Sequence, residues 1–278
     1  MPRIDAHTHL FPPSQRAGRN ELAADDPTFA EIYGDPAAKM ATAEELVETL
    51  DAAGFDGAVM CGFAFEAEDA IREQNVYLLE SARRWPGRLG VLATVNPSLP
   101  GWQREAEASL TAGARGFGEL RPANQGWDPL GRTGAELCEF AVHHGAILQW
   151  HVSEPVGHAY PGKHGGIDPA ALIQLASAHP AVRMIAAHLG GGLSFYAQMP
   201  EVKSAIENIY FDTAALSLLY DDQSVARLVD LVGPQRVLFA SDYPLLSPRR
   251  QLERVTAVLD GAIAASVCGG NADKLLFG

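Results

Sequence analysis

The chain has 278 residues, 47% of them hydrophobic, and a formal net charge of −13. That is enough apolar material for a large core, and the length suits one eight-stranded α/β barrel better than two separate domains. The acidic balance disfavours nucleic acid and anionic membrane as partners by long-range repulsion, but it leaves a small substrate open, because a local site can be cationic within an acidic protein. No run of about 18 apolar residues occurs, and a strand begins at once without a basic stretch or an apolar signal core, so the expected location is the cytoplasm. Cys61, Cys138 and Cys268 are odd in number and form no Cys-x-x-Cys pair. Reduced, partly buried thiols are therefore expected, with neither a disulfide framework nor a thiolate metal site.

Taken in chain order, the first strand (2–6) runs into Ile4-Asp5-Ala6-His7-Thr8-His9. Residues two apart on a strand point to the same side, so both imidazoles can reach one metal ion. The stretch 11–41 is long for a strand-to-helix connection. Thr42 with Glu45 then reads as a capping box, and Gly54 as a helix C-terminal glycine. Strands follow at 57–62, 88–95 and 114–119, the last ending Gly116-Phe117-Gly118-Glu119. Thr133 with Glu136 reads as a second capping box, with Gly145 closing its helix. The strand at 146–151 ends Gln149-Trp150-His151, and a second long connection, 152–166, leads to the N-cap and first-turn proline Asp168-Pro169. Strands at 182–188, 208–212 and 236–242 complete eight; the first of these ends in His188 and the last in Asp242, ahead of a helix start at Ser247-Pro248. Continuous apolar strands imply a sheet covered on both faces, and regular strand–helix alternation implies parallel pairing. The expected fold is a single-domain (β/α)8 TIM barrel over residues 1–278, with active-site loops after strands 1 and 5.

Metal-ligand residues thus recur at the carboxyl ends of strands, the rim where such barrels carry their chemistry. Each has a bland alternative: a strand-end histidine can bond a neighbouring loop, Asp242 can cap the segment before Pro244, and Glu119 can pair with Arg121. Independent accidents would not gather every ligand type on one rim, so His7, His9, Glu119, His151, His188 and Asp242 are read as metal ligands. A divalent ion held by imidazoles and a carboxylate lowers the pKa of bound water from near 16 to about 7. Asp242 could ligate the ion and also accept the water proton. Glu119, His151 and His188 could complete a second site; with one ion only, His188 is free to polarise a carbonyl or protonate a leaving group. Zinc leads as the expected metal, in one or two ions, and manganese, iron or cobalt also suit the donors.

Arg121 follows Glu119 by two residues and could clamp a substrate carboxylate, or pair with a nearby acid. His158, Tyr160 and His164 lie in the loop after His151, and His158 and Tyr160 are taken as substrate contacts. Trp127 could wall an aromatic ligand, although packing is the commoner use of such a residue. His143, His144 and His179 sit at helix ends, where a cation offsets the helix dipole. Gly190-Gly191-Gly192 lacks the Lys-Ser or Lys-Thr of a phosphate loop.

His7-x-His9, Gly116-Phe117-Gly118-Glu119-Leu120, Trp150-His151, His188-Leu189-Gly190-Gly191, Ser241-Asp242-Tyr243-Pro244 and Gly270-Asn271-Ala272 with Leu275-Leu276 together resemble the amidohydrolase-related branch of the amidohydrolase superfamily, along the whole chain. The resemblance implies a metal-dependent barrel and places the ligands at His7, His9, His151 and Asp242, with His188 as ligand or catalytic imidazole. Glu119 departs from the simplest one-metal pattern: it stands where two-metal members place a bridging carboxylate or carboxylated lysine. The expected activity is hydrolysis of a small amide, cyclic amide or lactone, with Asp242 and His188 as the catalytic residues. The alternatives are a metal-dependent decarboxylase and, in another class, a non-catalytic metal-binding barrel. The expected partner is a small-molecule substrate, and a homodimer is the expected assembly.

Overall fold

The computed structural model of the protein describes residues 1–278. Eight strands stand where the sequence puts them: β1 (Ile4–His9), β2 (Gly57–Cys61), β3 (Leu89–Leu92), β4 (Gly116–Leu120), β5 (Ile147–Trp150), β6 (Arg183–Ala186), β7 (Ile209–Asp212) and β8 (Val237–Leu238). The helices of the first half are α1 (Pro13–Ala17), α2 (Arg19–Asp25), α3 (Pro27–Tyr33), α4 (Ala43–Ala53), α5 (Glu68–Arg84) and α6 (Trp102–Thr111). Those of the second are α7 (Arg132–His144), α8 (Pro169–Ala178), α9 (Pro200–Ala205), α10 (Leu216–Leu219), α11 (Gln223–Val232), α12 (Pro248–Val258) and α13 (Gly261–Ala265). The long connection after β1 therefore folds into three short helices, whereas 152–166 holds no regular element.

All strand pairs are parallel, in two sheets of order β1-β2-β3 and β4-β5-β6-β7-β8. The single closed ladder expected from the sequence does not form. Between β3 and β4 there is an isolated bridge, Ala93 with Phe117; beside β1, Ala6 N–H donates to Phe239 O (2.9 Å) and His9 N–H to Tyr243 O (2.7 Å). The reason is local. β8 pairs regularly over two residues only, since the chain then turns to Asp242 at φ 64°, which no strand accommodates. β1 breaks register between Asp5 and Thr8, and β4 between Phe117 and Leu120. Such irregularities re-aim side chains, and these two lie beside His7 and Glu119.

The helix starts follow local chemistry. Thr42 and Glu45 cap each other's backbone N–H groups, and Gly54 closes α4 at φ 73°. Asp168 accepts from Ala170 and Ala171 N–H, both at 2.9 Å. The second predicted box is corrected: α7 begins at Arg132, before Thr133, and Glu136 accepts from Arg132 Nε at 2.6 Å instead. Inside the sheets, Ile4, Val59, Leu92, Ile147, Ile185 and Leu238 pack with Leu275 and Leu276 of the C-terminal segment. That apolar plug joins the two sheets and leaves the carboxyl ends of the strands for polar groups. Cys61, Cys138 and Cys268 are free and buried. No helix is long and apolar enough to cross a membrane.

Candidate metal centre

The six predicted ligands meet as two trios: His7, His9 and Asp242 at the β1 and β8 ends, and Glu119, His151 and His188 at the β4, β5 and β6 ends. In the first, His7 Nε2 and His9 Nε2 stand 3.0 Å apart, and Asp242 Oδ1 is 3.6 Å from His9 Nε2. In the second, Glu119 Oε1 is 2.9 Å from His151 Nδ1 and 3.0 Å from His188 Nε2, and the two ring nitrogens are 3.1 Å apart. Glu119 also spans the gap between trios, with Oε1 4.0 Å from His7 Nε2 and Oε2 3.9 Å from His9 Nε2. Donors bound at 2.0–2.2 Å to one first-row ion sit about 3 Å from each other, so both trios have the spacing of a coordination shell.

Proton positions support the fit. His7 Nδ1 donates to Asp212 Oδ2 at 3.0 Å, so its Nε2 presents a lone pair. His188 Nδ1 donates to Ala214 O at 3.2 Å, so its Nε2 lone pair faces the Glu119 carboxylate. Two acceptors at that distance need a cation or a proton between them. Without a metal, protons serve: burial opposes the charge, but Asp212 lifts His7 to about 10, and Glu119 lifts His188 to about 9. Glu119 is held well below the usual carboxylate range by His151 and His188 despite its burial, while burial and Arg121 take His151 down to about 4. Burial and the charge of His7 also lower His9, whose Nδ1 is buried without a partner.

Two of the predicted ligands sit on backbone that L-residues rarely adopt, His188 at φ 58° and Asp242 at φ 64°. Such positions cost on the order of 1–3 kcal/mol each and persist only where surrounding bonds fix them. Here His188 N–H donates to Asp212 Oδ1 (3.0 Å), and Asp242 N–H to His7 O (3.1 Å). Two glycines after His188 serve close packing, as a Cβ on Gly190 would lie 2.8 Å from the Phe211 ring and one on Gly191 2.7 Å from Ser153 O.

The sequence reading missed two carboxylates that hold this arrangement. Asp212 accepts from His7 Nδ1, Gln149 Nε2 (3.1 Å) and the His188 and Ala214 N–H groups (both 3.0 Å). Its signal was present: Ile209-Tyr210-Phe211-Asp212 is another apolar strand ending in a carboxylate. Asp5 accepts from Ser241 N–H (2.9 Å) and from the Ser241 hydroxyl, tying β1 to the segment that carries Asp242. Complete burial lifts the Asp5 carboxyl to about 7.

A cavity of about 520 Å³ opens over the trios, and Arg121, His158 and Tyr160 line it with His9, Glu119, His151, His188 and Asp242. Arg121 divides its guanidinium. Nε donates to Asn124 Oδ1 (2.9 Å) and Nη2 to Gly162 O (2.7 Å) and His164 O (2.5 Å), while Nη1 makes no hydrogen bond and stands 4.0 Å from Glu119 Oε2. The Tyr160 hydroxyl donates to Glu154 Oε2 at 2.9 Å, and Lys163 Nζ fixes the loop through Val156 O and His158 O. Trp127 is not brought to the cavity. It is buried with its ring centroid 6.0 Å from that of Trp150, and its indole N–H donates to Gln125 Oε1 (3.1 Å). The short turn after Arg121 directs this large ring inward, so it packs instead of walling a ligand.

With this geometry, known proteins of the same architecture can be compared. A 5-carboxyvanillate decarboxylase from Sphingomonas paucimobilis superposes with a TM-score of 0.78 at 18% identity, covering 99% of each chain. A dihydroxybenzoic acid decarboxylase from Polaromonas sp. JS666, solved with bound manganese, gives 0.74 at 16% identity over 99% of this chain and 96% of the other. A 4-oxalomesaconate hydratase from Rhodopseudomonas palustris gives 0.65 at 17% identity over 99% and 95%. At such identities the likeness is one of fold. No curated protein matches the sequence. The family model described as amidohydrolase matches residues 4–278. With all but its first three residues inside that match, the chain belongs to the amidohydrolase family and is an enzyme of that superfamily.

Proposed function

We propose that the protein is a metal-dependent hydrolase of a small amide, cyclic amide or lactone, acting at the carboxyl ends of eight strands that form a (β/α)8 barrel with two weakly paired seams. The observation that carries this reading is Glu119, whose oxygens lie within 4.0 Å of ligands in both trios, as a carboxylate shared by two ions would. A bound divalent ion would supply positive charge that polarises a carbonyl and acidifies water. His7, His9 and Asp242 would hold one ion, and His151 and His188 the other, with Glu119 between them. Zinc is the working choice for so histidine-rich a set. The manganese of the Polaromonas decarboxylase makes that ion the first alternative to load.

The remaining work falls to the chain's own groups. Asp242, at the cavity wall, accepts the proton of the attacking water and returns it to the leaving group. Asp212 fixes the His7 ring, and Asp5 fixes the backbone entering Asp242. The free Nη1 of Arg121 is placed to hold an acidic substituent of the substrate, while its other nitrogens anchor the loop bearing His158 and Tyr160.

Decarboxylation is the second reading. It is favoured by decarboxylases among the structures sharing the fold and by Arg121, which suits a substrate carboxylate. Metal analysis joined to a screen of lactones, amides and aromatic carboxylic acids separates the two. Two ions per chain with lactone or amide turnover is expected. One ion, with carbon dioxide released from an aromatic acid and no hydrolysis, would overturn the proposal.

A further inference from the structure

Tyr33 is a buried tyrosine whose hydroxyl has been left free. Three other phenols are engaged: Tyr77 accepts from Ala43 N–H (2.8 Å), Tyr160 donates to Glu154, and Tyr243 accepts from Thr49 Oγ1 (3.4 Å). The Tyr220 hydroxyl is sealed without a partner. A buried phenol ordinarily finds a partner. The Tyr33 hydroxyl has none in the protein and is not among the sealed polar atoms, although the residue is only 9% exposed. It lines the cavity that also holds His9, Glu119, Arg121, His188 and Asp242.

Its ring is fixed on several sides, with centroids 4.8 Å from Phe11, 5.3 Å from Phe29 and 5.7 Å from Phe63. The helix that carries it is anchored at both ends. Asp26 caps α3 through Phe29 N–H (2.8 Å), and Glu31 Oε1 accepts from Gly162 N–H (2.9 Å), joining α3 to the loop after β5. Burial, then the carboxylates of Asp242 and Glu119, keep the phenol protonated well above its ordinary range. A rigid, protonated donor at the wall of the cavity that holds the two trios resembles the fixed donors that stabilise developing oxyanions.

We propose that Tyr33 is a catalytic residue of this cavity, its hydroxyl donating a hydrogen bond to the substrate oxygen that gains negative charge in the reaction. This rests on the cavity being the reaction site, so the test has one arm that needs turnover and one that does not. Tyr33→Phe keeps the ring and removes only the donor. With the zinc-loaded protein and dihydrocoumarin as the lactone probe, kcat is expected to fall about tenfold or more while KM moves much less, at unchanged metal content and melting temperature.

In the second arm, 4-nitrophenolate is titrated into the zinc-loaded protein and its absorption band is followed. Loss of the donor should weaken binding about fivefold or more and shift the bound band to the red. Phe29→Leu serves as the packing control, since it loosens the same ring box and keeps the hydroxyl; it should leave band and affinity near wild type. Equal affinity and an equal band in wild type and Tyr33→Phe overturn the proposal. So does an equal loss in Phe29→Leu, and so does a wild-type protein that fails to bind the probe. If no lactone or amide is turned over, hydrolysis falls as the reaction, and the phenolate arm still decides the role of Tyr33.

Discussion

The two trios of candidate ligands are built differently. His7, His9 and Asp242 lie at the seam between β1 and β8 and are fixed from behind: Asp212 holds the His7 ring, and Asp5 holds Ser241. Glu119, His151 and His188 are drawn closer, with mutual distances of 2.9–3.1 Å, and they border the loop after β5. Ser153 of the loop after β5 meets His151 Nε2 at 2.9 Å, and Arg121 ties that loop to the neighbourhood of Glu119. One trio is tied to the strands; in the proposed site the other would couple metal ligation to the loop after β5. Damage to the first should therefore read out in metal binding, and damage to the second in both metal stoichiometry and substrate preference.

The largest effect is expected from the strand-borne trio. His7→Ala, His9→Ala or Asp242→Asn should abolish turnover while circular dichroism stays near wild type, because these side chains lie at the rim and outside the apolar plug. Chelation of the wild-type protein should give the same loss, reversed by adding metal back. Full activity in all three variants would remove these residues from the site.

Glu119→Gln comes next. An amide is a poor bridging ligand for hard cations, so the variant should hold about one ion fewer per chain by elemental analysis. Retention of two ions would cancel the bridging role and, with it, the contrast between trios.

Asp212→Asn should weaken metal affinity about 10–100-fold, since partners that orient a ligating histidine carry effects of that size. Competition against a chromophoric chelator would measure it, and unchanged affinity would show that the strands alone orient His7. Arg121→Lys sharpens the other side of the comparison. Loss of the planar fork should cut kcat/KM for an acidic substrate by more than about tenfold, roughly 1.4 kcal/mol, and affect a neutral analogue far less. Equal losses on both would mean that Arg121 acts through its bonds to Gly162 and His164 only.

The sequence was most legible where one local rule decided the outcome. The placement of the predicted ligand residues at strand ends, the Thr42–Glu45 box and the parallel strand order all follow from period, spacing and turn chemistry, which need no knowledge of the tertiary structure. What escaped depended on contacts across long separations. Asp212 matters because its carboxylate, at the end of β7, reaches His7 on β1, 205 residues away. Tyr33 sits in a long connection whose three short helices have no periodic signal of their own, so only the packed aromatic box shows where its hydroxyl points. Thr133 failed for a smaller reason: the preceding Arg132 pairs with Glu136, and the helix starts two residues earlier than a Thr133 cap requires.

The free cysteines also give the molecule an internal clock. Cys61, Cys138 and Cys268 are buried, and burial pushes the Cys138 thiol up to about 12 and the Cys268 thiol up to about 11, so none offers a reactive thiolate to solvent in the folded state. A thiol-specific reagent such as Ellman's can therefore react only when the chain opens. Because Cys61 lies in β2, Cys138 in α7 and Cys268 in the closing segment, the order in which the three become labelled reports which part of the chain opens first.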